Sequence, residues 1–237
     1  MAGLGSEIQV GGLKLKNRLV MPPMATENAD EDGNVSERML HYYDEKSRGS
    51  YLGLIITEHS FIASDGRASS RQVSVASDDK LDGLKKLTDV IHRNGVKVAC
   101  QINHAGGNAQ RNITGFPTMA PSAVLPDGSK FADRSMTKTD IQVVIQEFAD
   151  AALRAKKAGY DAVEIHSAHG YLLNEFYSPL TNNRNDEYGG DLPGRIRIHL
   201  ETINAVKGAV GNDYPVFIRL GSIDDVPGGN NRQEAAE

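Results

Sequence analysis

Five short runs of apolar and β-branched residues recur along the chain, each separated from the next by a longer stretch with helical spacing. The runs are Arg18–Met21, Gly53–Thr57, Val96–Ile102, Asp161–His166 and Val216–Leu220, and each reads as a strand. Between them, Ser36–Arg48, Asp79–Asn94, Thr139–Ala158 and Arg195–Val210 carry the helical pattern. The third of these is clearest. Ile141, Val144, Ile145, Phe148, Ala152 and Ala155 follow the i, i+3, i+4, i+7 spacing of one buried face. Thr139 with Gln142 reads as a capping box, and Gly159 as a left-handed stop. In the fourth helix, Ile196, Leu200, Ile203, Val206 and Val210 form the stripe, and Gly211 ends it. Ahead of the first strand, Ile8–Val10, Gly11-Gly12 and Leu13–Leu15 predict a small hairpin with a glycine turn.

Strict alternation of strand and helix predicts a parallel sheet with helices as crossovers. An open doubly wound sheet and a (β/α)8 barrel both satisfy that pattern. No strand is followed by G-x-G-x-x-G or by a phosphate loop, the marks of the open sheet. Polar chemistry follows the strands instead. The first runs into Pro23-Met24-Ala25-Thr26 and the second into Glu58-His59; the third ends in Gln101, Asn103 and His104. The fourth ends in His166 and His169, and the fifth in Arg219. In an open sheet these ends are strung along a line, whereas a closed barrel makes them converge. The expectation is a (β/α)8 barrel of which residues 1–237 cover about strands one to five, preceded by the hairpin, as a single partial domain with a polar tail at 229–237.

Composition narrows the function classes. A net charge of −5 gives no electrostatic case for nucleic acid or an anionic membrane surface. The one cysteine, Cys100, allows no disulfide within the chain, and its place in the third strand turns it toward the helices as a core residue. No apolar run approaches the ~20 residues of a membrane span, and the first residues lack the basic-then-apolar order of a signal peptide. A cytoplasmic protein is expected.

The richest segment is Asp161–Gly190. Strand alternation puts Glu164 and His166 on one face, the barrel interior, and Val163 and Ile165 on the other. His166, His169 and Tyr171 then leave the strand end within six residues, close enough to surround one small molecule. Two imidazoles at a loop start can be satisfied structural residues, metal ligands, or donors to a phosphate or carbonyl oxygen. A metal needs a third ligand, which His104 can supply, but no carboxylate–histidine pattern of the metallohydrolase kind accompanies them. No metal is expected.

The same segment closely resembles the Old Yellow Enzyme family of NADH:flavin oxidoreductases. The resemblance rests on His166, His169, Gly170, Tyr171, Leu172, Phe176, Ser178, Pro179, Asn182, Arg184, Asp186, Tyr188, Gly189 and Gly190. It continues in order along the chain at Asn17–Met24, Gln101–Gly106, Ala120-Pro121-Ser122 and Phe217–Leu220, and spans residues 7–228. It implies an FMN across the barrel mouth, with NADH or NADPH as reductant. The backbone at Pro23, Met24 and Ala25 would meet the flavin edge, Gln101 its pyrimidine side, and Arg219 the charge of the reduced ring. Glu164 is an alternative partner for Arg219. The implied substrate is a small α,β-unsaturated carbonyl compound whose oxygen is held by His166 and His169, with Tyr171 as the proton donor. Asp186 and Arg184 read as a structural pair rather than as catalysts.

The sequence departs from the family pattern in four places. Ala25 stands where relatives often carry Cys or Thr, and His59 where many carry a small residue beside the flavin. Pro193-Gly194 replaces Glu-Asn, and the sequence supplies five strands where a barrel has eight. Phosphate in such barrels binds after strands seven and eight, so these residues alone are expected to hold FMN poorly. They are expected to associate with themselves or with a complementing C-terminal half-barrel. The alternative is a catalytically inactive barrel remnant that binds no flavin.

Overall fold

The computed structural model describes residues 3–237. Its centre is a sheet of β1 (Val20–Met21), β2 (Leu54–Phe61), β3 (Lys97–Asn103), β4 (Ala162–Ser167) and β5 (Val216–Leu220), all parallel and adjacent in chain order. That order is the wall of a (β/α)8 barrel and excludes the doubly wound sheet, whose strand order reverses. The crossovers are α1 (Glu37–Ser47), α2 (Leu81–His92), α3 (Lys138–Lys157) and, after the short α4 (Leu172–Tyr177), α5 (Arg197–Val210). No helix among the described residues is long and apolar enough to cross a membrane.

The two faces of the sheet obey different rules. On the helix side, Ile55, Val98, Cys100, Ile102, Val163 and Ile165 are fully buried and pack against Met39, Leu87, Val144 and Phe148 of α1 to α3. On the interior side, the register aligns Ile56, Ala99 and Ala162 in one layer and Gln101, Glu164 and Phe217 in the layer above. The lower layer is apolar. It is plugged by Leu13 and Leu15 of the predicted hairpin, whose strands pair antiparallel around Gly11 at φ +56°. The plug seals the bottom of the wall and leaves chemistry to the top.

Several local expectations shift. The capping box of α3 is Thr137 with Asp140, not Thr139 with Gln142: the Thr137 N–H donates to Asp140 at 2.7 Å and the Asp140 N–H to the Thr137 hydroxyl at 3.1 Å. Thr137 is the residue with extended backbone, and Thr139 already lies within the first turn. In α5 the buried face runs through Ile198, His199, Thr202, Val206 and Val210, while Leu200 is 54% exposed. A side-chain hydrogen bond of 2.7 Å between His199 and Ser167 at the end of β4 turns that face inward. β2 runs on to Phe61 because its register shifts between Thr57 and Ser60, which lets a second segment pair with β3. The residues at 229–237, expected as a polar tail, are tied back to the body of the sheet-and-helix wall. Buried Arg195 pairs with Glu234 at 2.7 Å and also bonds Asn230.

Candidate active site

The C-terminal strand ends build one cluster. His166 is the last inward residue of β4, and the turn that follows reverses the chain at His169 (φ +61°) and Gly170 (φ +74°). The Tyr171 N–H donates to the Ala168 carbonyl at 3.2 Å, and the Gly170 N–H to the Asn174 side chain at 2.8 Å. This turn sets the His166 ring centre 5.1 Å from that of His169 and 5.3 Å from that of Tyr171. The extended end of β2 adds His59, 5.5 Å from Tyr171 and 6.1 Å from His166. Arg219 lies beside His166 in register.

Burial governs the protonation of these groups. It pushes His166 down to about 3, with His59, His169 and Arg219 adding to the effect. His59 is pushed down to about 4 by burial and then by His169, and His169 is lowered by burial and then by Arg219. All three rings are therefore neutral at pH 7, each with one N–H donor and one lone pair. Burial raises the Tyr171 phenol, so its proton stays on the oxygen. Glu164 is also raised by burial, against the pull of Gln101 and Arg219.

The interior groups sort into those already satisfied and those left open. Gln101 donates to Glu164 at 2.8 Å, which gives that carboxyl a partner other than Arg219. Arg219 forms no ion pair within 4 Å among the described residues, so the Glu164–Arg219 pair considered from sequence is not formed. His166 Nδ1 and both amide atoms of Asn103 are buried without a protein partner. After β1, Pro23, Met24 and Ala25 lead along the rim, Met24 being 55% exposed, and the Met24 and Ala25 N–H groups bond nothing among the described residues. Thr26 does not stand in for the residue missing at Ala25: its hydroxyl donates to Glu58 at 2.5 Å and its N–H to the same carboxylate at 3.2 Å. The top layer thus offers spare donors from three strands and one unpaired cation, which suits a ligand rich in acceptor oxygens. Among the described residues no three His, Cys, Asp or Glu side chains converge to hold a metal.

Two supporting residues escaped the sequence reading. Fully buried Glu175, raised well above its ordinary value by burial, accepts the Gly107 N–H at 2.9 Å and so fixes the loop after β3 to α4. A Cβ at Gly106 would lie 2.3 Å from that carboxylate, which explains the glycine. Gln72 bonds His59 from a segment with no periodic signal. Elsewhere, Arg184 and Asp186 are paired at 2.9 Å, as expected, and the Cys100 thiol is sealed in the core and pushed up to about 12 by burial.

Residues 4–237 match the family model described as the NADH:flavin oxidoreductase / NADH oxidase family. The NADH oxidase of Thermoanaerobacter brockii is 42% identical over 99% of this chain, which covers 36% of that protein. The NADPH dehydrogenase of Halalkalibacterium halodurans is 42% identical over 96% of the chain and 65% of its own length. This chain therefore spans between about a third and two thirds of these relatives. Among solved structures, the old yellow enzyme homologue from Zymomonas mobilis superposes with a TM-score of 0.88 at 31% identity, over 98% of this chain and 67% of that one. Morphinone reductase in complex with tetrahydroNAD gives 0.88 at 30% identity, over 100% and 68%. With its parallel barrel wall and its histidine–tyrosine cluster at the strand ends, the chain belongs to the NADH:flavin oxidoreductase / NADH oxidase family, the family of Old Yellow Enzyme.

Proposed function

We propose that this chain carries the flavin-ring and substrate side of an FMN-dependent NAD(P)H oxidoreductase that reduces activated C=C bonds of α,β-unsaturated carbonyl compounds. The observation that carries the reading is the cluster in which the His166 ring centre lies 5.1 Å from that of His169 and 5.3 Å from that of Tyr171, beside an unpaired Arg219. The residues that would hold the ring are Pro23, Met24 and Ala25 along the rim, the last two through their free N–H groups, Gln101 and Arg219 from the sheet, and His59 at the border. FMN, when bound, supplies two-electron hydride chemistry.

The protein groups do the rest. His166 and His169 each present a neutral N–H that can hold the carbonyl oxygen of an enone and stabilise negative charge growing there. Tyr171 keeps its proton at neutral pH and holds it for the neighbouring carbon. Arg219 places a fixed positive charge against the ring side of the cluster.

The test is an FMN titration of the purified protein completed by a C-terminal half-barrel that supplies strands six to eight, followed by anaerobic reduction with NADPH or NADH and reoxidation by 2-cyclohexenone. Bound flavin that is reoxidised by the enone supports the reading. A completed barrel that takes up no FMN overturns it and favours a barrel segment without flavin, whereas weak uptake by residues 1–237 alone is the expected result.

A further inference from the structure

The turn that carries His169 and Tyr171 closes through the Tyr171 N–H to the Ala168 carbonyl at 3.2 Å. Both of its central residues are left-handed, His169 at φ +61° and Gly170 at φ +74°. Positive φ at both central positions marks a type I′ turn, which Gly, Asn and Asp favour. Histidine enters that region at a steric cost, so its surroundings must over-determine it. Two asparagine side chains grip Gly170 between them. Asn174 Oδ1, from α4, accepts the Gly170 N–H at 2.8 Å, and Asn108 Nδ2, from the loop after β3, donates to the Gly170 carbonyl at 2.6 Å. Each asparagine is anchored in turn. A Cβ on Gly221, just after β5, would lie 3.1 Å from both the oxygen and the nitrogen of the Asn174 amide. Gly221 has no left-handed backbone of its own to require glycine, so the missing side chain makes room for Asn174. The Asn108 N–H donates to the Ala105 carbonyl at 3.1 Å, and the Gly107 N–H before it to Glu175 at 2.9 Å. The loops after β3, β4 and β5 thus meet at two side-chain amides.

We propose that Asn174 and Asn108 are positioning residues: by gripping Gly170 from both sides they keep His169 left-handed and so set its ring against that of His166. The consequence for rate rests on the function proposed above; the geometry does not. The two amides work with opposite polarity, which makes the same substitution act in opposite ways. Asn174→Asp keeps an acceptor for the Gly170 N–H, whereas Asn108→Asp sets a carboxylate against a carbonyl oxygen. Asn174→Leu removes the acceptor at similar size.

Amide hydrogen exchange and proton NOEs read the geometry in the 237-residue protein without ligand. In the wild type the Gly170 N–H should be protected, and the His166 and His169 rings should share an NOE. Asn174→Leu and Asn108→Asp should each speed Gly170 exchange by about 2- to 10-fold, the net worth of a hydrogen bond, and weaken that NOE. Asn174→Asp should retain both signals. In the barrel completed by its C-terminal half, Asn174→Leu and Asn108→Asp should slow flavin reoxidation by saturating 2-cyclohexenone by about 10- to 100-fold, the effect of donors held out of line. A purely structural role would lower stability and leave that saturated rate alone. A wild-type Gly170 amide that exchanges like an open loop overturns the inference. So does Asn174→Leu with wild-type exchange and NOE, or Asn174→Asp as impaired as Asn174→Leu. Should Asn174→Leu fail to fold, the wild-type exchange and the contrast between Asn174→Asp and Asn108→Asp still decide. FMN uptake is a separate readout: a completed barrel that takes up none, while Gly170 behaves as expected, refutes the flavin reading alone.

Discussion

The inner and outer faces of β4 are built from alternate residues of one six-residue strand, yet they answer to different demands. Val163 and Ile165 point outward, are fully buried, and have every neighbour they need from α3 and the adjoining strands. Glu164 and His166 point inward and are nearly as buried, but their partners are incomplete: Glu164 has one from Gln101, and His166 Nδ1 has none. Burial of apolar atoms stabilises the fold, whereas burial of polar atoms without partners costs free energy unless a ligand meets them. The edge strand β5 marks the limit of the pattern. Its outward residues Ile218 and Leu220 are 41% and 39% exposed, because no described helix covers them.

The largest expected effect lies on the outer face. Ile165→Ala should lower unfolding stability by about 2–5 kcal/mol in urea titrations, the usual cost of a cavity in a sealed core. Ile218→Ala, at the same register one strand over, should cost under about 1 kcal/mol. Equal losses would mean that β5 is covered in solution.

On the inner face the sign of the trade reverses. In the barrel completed by its C-terminal half, His166→Ala or His169→Ala should slow reoxidation of the reduced flavin by 2-cyclohexenone by about 10²–10³-fold, as for loss of one donor to a developing oxyanion. Flavin reduction by NADPH should suffer less, and stability should stay near that of the wild type. Equal slowing of both half-reactions would make these histidines structural.

The pH dependence separates the faces further. His166 has a folded value of about 3 against an ordinary 6.5, so as pH falls the unfolded chain takes up this proton first. Its contribution is fully present above pH 6.5 and is lost as the pH falls toward about 3. In His166→Asn the slope of stability against pH in that window should drop by close to one proton, about 1.4 kcal/mol per pH unit. An unchanged slope would show that His166 is already protonated in the folded protein. The smallest effect concerns the helix that roofs the outer face: Thr137→Ala should cost about 1 kcal/mol and Thr139→Ala a few tenths, and the reverse order would restore the cap expected from sequence.

Alternation of apolar residues at spacings of two and of three to four was enough, by itself, to determine the parallel wall, the hairpin and the inward direction of Glu164 and His166. These follow from the period of the backbone, which every residue in a run reports together. The motif residues after β4 were legible for a similar reason, since a long ordered match leaves little freedom of register. Tertiary structure alone decided the rest. Whether Thr137 or Thr139 caps α3 depends on which residue has extended backbone and exchanges hydrogen bonds with Asp140, and the inward face of α5 is chosen by the His199–Ser167 bond rather than by its leucine. His59 reaches the cluster only because β2 breaks register after Thr57, and its ring is held by a hydrogen bond to Gln72, thirteen residues away in sequence. Such outcomes are settled by single hydrogen bonds between distant segments. A bond of that kind leaves no periodic trace in the chain, because it constrains two residues rather than a face.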